Sequence, residues 1–165
     1  MTDPTVDGVR QALTTVLTEL IDGSPREPCW VLNVGDPGLL RSLDELSAAA
    51  ASAVPPQGAA SIAAHVDHLR YGLHLLNRWS RGEEPFADAD WGASWRRIVV
   101  SDREWTELRE GLRAEARAWQ EVVRTPRDVS RVELTGLVAG VAHLAYHLGA
   151  IRQIDRSIAG PAARD

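Results

Sequence analysis

The sequence predicts an all-α fold: a four-helix bundle with an extra short helix and a long loop between the second and third long helices. Three observations predict it. Apolar residues recur at alternating spacings of three and four in several separate stretches, the signature of amphipathic helices. Serine and glutamate stand three apart at Ser101/Glu104 and Ser130/Glu133, the spacing of a helix-starting capping box. The only β-like run, Trp95 to Val100, stands alone. A chain of 165 residues is of single-domain size, so residues 1–165 are expected to form one domain with a core of its own.

The elements follow in order. Val6, Val9, Leu13, Val16 and Leu20 form one face of a first long helix, which Asp22-Gly23-Ser24-Pro25 stops. After a loop, a short helix is expected from about Ser42, with Ser42 and Glu45 at capping-box spacing, ending before Val54-Pro55-Pro56. The second long helix is expected from about Gly58 to Arg81, on the stripe Ile62, Val66, Leu69, Leu73, Leu76. Residues 82–100 lack strong periodicity and carry Phe86, Trp91 and Trp95. A loop of that length inside a compact domain either forms part of a site or covers the end of a core. The third long helix starts at Ser101 on Trp105, Leu108, Leu112, Trp119 and Val122, and Thr125-Pro126 stops it. The fourth starts at Ser130 and is expected to reach Ile158. It is apolar nearly all round from Leu134 to Ile151, which predicts a central position.

Composition narrows the chemistry. The formal net charge is -5, which argues against nucleic-acid binding, since that needs a basic face. All 18 basic residues are arginine, so lysine chemistry such as a Schiff base is excluded. Cys29 is the only cysteine; no intrachain disulfide can form, which fits a reducing cytoplasm. Cys29 reads as a small loop residue rather than a reactive thiol. The start MTDPTVDGVR lacks an apolar core, so no signal peptide is expected, and no membrane span is implied by an uninterrupted apolar run.

The stretch VAHLAYHLGAIRQ carries the strongest chemical signal. His143 and His147 are four apart, one turn apart on one helix face, as in a helical two-histidine metal clamp. Gly136, Gly140 and Gly149 lie nearby, and a helical glycine costs about 1 kcal/mol relative to alanine, so something is expected to approach closely. Buried imidazoles also need partners. The second long helix offers His65, His68 and His74. At about 100° per residue from Ile62, the apolar stripe spans roughly −40° to +40°. His65 falls near about −60° at the core edge, His68 near about −120° and His74 near about +120°. This phase selects His65 as the third ligand, places His68 at the mouth of a site and leaves His74 solvated. Three neutral imidazoles leave a divalent cation with an open position, the pattern of a catalytic site, and Zn, Ni, Fe and Mn all suit them.

At these residues the chain resembles the DinB-like (YfiT-like) superfamily of metal-binding four-helix bundles. The resemblance covers nearly the whole chain and rests on SIAAHVDHLRYGL (Ser61 to Leu73), DWGASW (Asp90 to Trp95) and HLAYHLGAIRQ (His143 to Gln153). It implies a three-histidine site with one ligand from the second long helix and two from the last, which by position are His65, His143 and His147. It also implies an activity: a metal-dependent S-transferase using a low-molecular-weight thiol such as mycothiol or bacillithiol as cosubstrate. Homodimers are common among look-alikes.

The leading expectation is therefore an enzyme with a small-molecule substrate, with His68, Tyr71, Trp91, Trp95 and Arg152 as candidate substrate contacts and no catalytic residue assigned. Arg70 and Tyr146 lie near enough in sequence to be considered with them. Asp67 is placed either beside an imidazole or in solvent. A metal-dependent hydrolase is the alternative, followed by a non-catalytic metal-binding bundle or a dimeric interaction module whose aromatic surface includes Trp30.

Overall fold

The computed structural model describes residues 4–55 and 60–162. Within them the chain is mostly helical: α1 (Pro4–Asp22), α2 (Gly38–Asp44), α3 (Ala48–Ser52), α4 (Ile62–Ser80), α5 (Asp102–Arg124) and α6 (Arg131–Ile154). Two single 3₁₀ turns, Ala93–Trp95 and Arg156–Ile158, complete the set. No strand occurs among the described residues; one isolated antiparallel bridge joins Ser24 and Asp36.

The helix boundaries follow local chemistry. At Ser101 and Ser130 both halves of a capping box form: the serine hydroxyl accepts from the amide three residues on, and that glutamate's carboxylate accepts from the serine amide. Helix α4 starts at Ile62 with Ser61 as its N-cap; the expected start at Gly58 falls outside the described residues. Gly23, at φ 88°, ends α1 in the left-handed region that glycine tolerates.

Two expectations at the short elements change. Ser42 does not cap a helix. It lies inside α2, its hydroxyl bonded to the Gly38 carbonyl, because Leu39, Leu40 and Leu43 are buried and carry the helix back to Gly38. Ser47 caps the separate helix α3 instead. The last long helix also stops earlier than expected. Asp155 leaves helical geometry at φ −123°, ψ 108°, and its carboxylate caps Ser157 in the following 3₁₀ turn.

The four long helices form a closed ring of contacts. Helix α1 packs on α5 and α6, and α4 packs on the same two helices. Their buried stripes merge in one core containing Leu17, Leu20, Ile62, Leu69, Leu73, Leu112, Trp119, Leu137 and Leu144. Burial of such side chains removes roughly 1.5–3 kcal/mol worth of exposed apolar surface each, before the entropy of ordering is counted.

Helix α6 departs from the central position expected of it. Leu137, Val141, Leu144, His147, Leu148 and Ile151 face inward, while Val132, Val138 and Tyr146 are exposed. It is the one described helix long and apolar enough to cross a membrane by composition, and it packs here against α1 and α4.

Two glycines of α6 make room for tryptophans. A Cβ at Gly136 would lie 2.5 Å from the Trp79 ring, and one at Gly140 would lie 3.0 Å from Trp119 Nε1. The close approach expected at this glycine-rich face is therefore made by two indoles from α4 and α5.

Candidate metal centre

Helices α4 and α6 bring four histidines together. His68, His143 and His147 each offer a ring nitrogen, and these nitrogens all lie within 4.8 Å of one another. His65 stands behind them, its Nδ1 at 3.0 Å from His147 Nδ1. On its other side, His147 Nε2 faces His143 Nε2 at 2.9 Å. The cluster thus differs from the phase expectation: His68 shares the common space, and His65 touches it through His147.

The cause lies in the loop 82–100. A phase argument places the core on one side of α4, with position 68 on a flank. In the structure that flank is covered by the 3₁₀ turn Ala93–Trp95, which packs directly on α4. Trp95 stacks on His68 with ring centroids 4.3 Å apart and 24° between planes, and meets His65 edge-on at 5.2 Å. Both histidines are consequently buried.

Ser94 fixes the His68 tautomer. Its hydroxyl has one proton, which it donates to the Trp91 carbonyl at 2.9 Å. Toward His68 Nδ1, also 2.9 Å away, Ser94 Oγ therefore accepts. His68 carries its proton on Nδ1, and the Nε2 lone pair is left free. The His65–His147 contact can work the same way: a proton on His147 Nδ1, donated to His65, leaves His147 Nε2 as a lone pair.

The electrostatics keep these rings neutral. Burial, then the neighbouring imidazoles His143, His65 and His68, push the His147 pKa down to about 3. Burial, then His143 and His65, push His68 to about 4, with Asp67 acting in the opposite sense. Burial alone lowers His65 and His143 below the usual range. At neutral pH all four are uncharged, the form in which imidazole binds a cation. Neutral donors, convergent nitrogens and two second-contact partners that set the tautomers make the donor set suitable for a divalent metal.

The covering loop is pinned at several points. Asp67 is neither solvated nor set on an imidazole. It is buried and accepts from Arg70 at 2.9 Å and from Arg97, past the 3₁₀ turn, at 3.1 Å. Ser61 Oγ donates to the Ile98 carbonyl at 2.6 Å. The Asp90 amide donates to Tyr71 Oη at 3.1 Å, and the Asp90 carboxylate accepts from the Ala93 amide at 2.9 Å.

No protein-family model, curated protein or solved structure matches the chain. Trp91 and Trp95 both lie against His68, and Tyr71 meets the Trp91 ring edge-on. Arg152 is elsewhere: it forms two hydrogen bonds with buried Asp36, at 2.9 and 2.7 Å, and ties α6 to the loop after α1. Tyr146 meets His147 edge-on at 5.1 Å from an exposed position. His74 accompanies Glu115 at 2.9 Å. Cys29 lies beside Ser24 Oγ at 2.9 Å, in the loop after α1.

Sequence reasoning left two residues in lesser roles. Helical phase places His68 at the mouth of the site, and no sequence pattern points to Ser94. A signal for His68 exists in Gly72, one turn further along α4. A Cβ at Gly72 would lie 3.3 Å from His143 Cε1, so the glycine is what lets α6 bring His143 against this face.

Proposed function

We propose that His68, His143 and His147 hold a divalent transition metal, with His65 orienting His147 and Ser94 orienting His68, and that the protein is a metal-dependent enzyme of the DinB-like kind. The observation that carries the reading is the convergence of three neutral imidazoles within 4.8 Å, two of them backed by a hydrogen-bond partner on the far nitrogen. The ring of contacts among α1, α4, α5 and α6 supports reading the fold as a four-helix bundle with its site at one end.

The activity proposed is transfer of a low-molecular-weight thiol to an electrophile. When bound, a divalent cation lowers the pKa of a thiol or water and so supplies a nucleophile at neutral pH. In S-transfer the thiol proton leaves, the sulfur forms a bond to the electrophilic carbon, and the leaving group departs with its bonding pair. The chain's own residues present lone pairs from one side, while Trp95 stacks on His68 and limits water there. Zn, Ni, Fe and Mn all remain compatible with three imidazoles.

The test is metal content by mass spectrometry on untagged protein, for wild type and His143→Ala. About one equivalent of a transition metal in wild type, lost in the variant, is the expected result. Metal-loaded protein is then assayed for thiol consumption with mycothiol, bacillithiol and glutathione against an aromatic halide. Metal without thiol turnover, but with ester or amide cleavage, would replace the transferase by a hydrolase. Metal with neither leaves a binding module. No metal after reloading with Zn or Ni would end the reading.

A further inference from the structure

A cleft of about 550 Å³ opens beside the histidine cluster, between α4, α6 and the loop 82–100. Trp79, Phe86 and Trp91 form its walls, Gly72, Gly136 and Gly140 lie along it, and His143 is its one histidine. No residue lining it carries a formal charge, and its exposed surface is mostly apolar. We propose that this cleft binds an uncharged aromatic group of the substrate and directs the reacting end of that molecule to His143. The proposal rests on the metal-centre reading for its chemistry, but the binding step itself does not need the metal.

Shape and composition both point to a flat apolar occupant. The Phe86 and Trp91 rings are nearly parallel, 11° apart with centroids at 6.5 Å, and Trp79 meets Phe86 at 60°. The result is an angled aromatic wall rather than a scatter of aliphatic groups, and aromatic surfaces favour offset-stacked or edge-on partners. Phe86 and Trp91 are 44% and 41% exposed, so this wall is open to a ligand. The volume lies within the roughly 300–1,000 Å³ range of small-molecule sites.

Position supplies the link to chemistry. A Cβ at Gly72 would sit 3.3 Å from His143 Cε1 and 3.7 Å from Trp91 Cζ3. Gly72 therefore marks where the aromatic wall meets the histidine ring, and the absence of a side chain keeps that junction narrow but open. Trp91 also approaches His68 at 5.7 Å between centroids, so one indole borders both the cleft and the cluster. A concave, charge-free pocket ending at imidazoles suits a small neutral aromatic electrophile better than a peptide or an anion.

The experiment uses N-phenyl-1-naphthylamine, an uncharged aromatic probe, excited directly and titrated against untagged, chelator-treated protein. Ala139→Trp fills the cleft from an exposed position of α6, one turn before His143. Saturable binding of one probe per chain is expected in wild type, at least tenfold weaker in Ala139→Trp, and within threefold of wild type in Gly149→Ala, an exposed change outside the cleft. Circular dichroism melts of the three proteins check that each is folded. Phe86→Ala, a change in the exposed loop wall, is expected to weaken the probe severalfold and serves if Ala139→Trp fails to fold.

Absence of saturable binding, or equal binding by both cleft variants and wild type, overturns the proposal. So does a dimer by gel filtration that excludes the probe and dissociates in Ala139→Trp, since a second copy would then occupy the cleft. Metal content is read on each preparation before the chelator is added. Probe binding without metal upholds the cleft and sinks the metal centre; full metal without probe binding sinks the cleft alone.

Discussion

Ser94 Oγ lies 2.9 Å from His68 Nδ1, and the one proton on that hydroxyl is committed to the Trp91 carbonyl. A residue of the covering loop thus decides which nitrogen of an α4 histidine has a lone pair. Replacing Ser94 by alanine leaves His68 in place but frees its tautomer and rotation. Metal affinity is expected to fall about 10–100-fold, the usual effect of removing such a partner, with little change in the far-UV spectrum. Competition against a chromophoric chelator measures it; an unchanged affinity would remove Ser94 from the site.

His65 and His68 separate in a parallel test. The phase of the apolar stripe selects His65 as the ligand from α4, whereas the nitrogens that converge with His143 and His147 belong to His68. Single alanine variants of His68, His143 and His147 are expected to lose the metal. His65→Ala is expected to retain it with weaker affinity, because His65 contacts only the far nitrogen of His147. The reverse outcome, with metal lost in His65→Ala and kept in His68→Ala, would show that the cluster rearranges on binding.

Much of the helical framework is legible in the sequence because local chemistry dictates it. The capping boxes at Ser101 and Ser130 and the stop at Gly23 need only neighbouring residues, and all form. The pair His143/His147 is legible for the same reason, as two residues one turn apart on one helix. What sequence periodicity could not supply is the direction of coverage. His68 and Asp67 look like flank positions of α4 until the 3₁₀ turn Ala93–Trp95 and Arg97 come down on them from a non-periodic loop. The same limit applies to α6, whose all-round apolar character suggested a central helix but includes exposed Val132, Val138 and Tyr146.

The metal-free protein is expected to lose stability as the pH falls below neutrality. His147 and His68 have folded-state pKa values of about 3 and about 4, below the ordinary histidine value of 6.5. Above 6.5 these rings are neutral in both states. Below it the unfolded chain takes up protons that the folded chain refuses, so stability drops progressively towards pH 4–3. Glu133, held at about 2 by its capping bonds and Arg127, adds a loss only below its ordinary 4.5. Urea midpoints at pH 7.5 and 5.0 therefore isolate the histidine effect. A midpoint that does not fall over that interval would contradict buried neutral imidazoles.

Two glycines in one helix predict opposite responses to the same substitution. Gly149 is exposed, and a Cβ there meets nothing within 4 Å. Gly149→Ala should stabilise the protein by about 0.5–1 kcal/mol, the difference in helix propensity. Gly140 is buried, and its Cβ would press to 3.0 Å on Trp119 Nε1 and 3.2 Å on Leu76 Cδ1. Trp119 is fully buried, so the indole cannot swing aside without disturbing the core. Overpacking of this kind costs about 1–3 kcal/mol, which offsets or exceeds the propensity gain of about 1 kcal/mol. Gly140→Ala should therefore melt no higher than wild type and below Gly149→Ala. Thermal melts of the two variants side by side decide it. A Gly140→Ala protein as stable as Gly149→Ala would mean that α6 and Trp119 are not packed as closely as the structure places them.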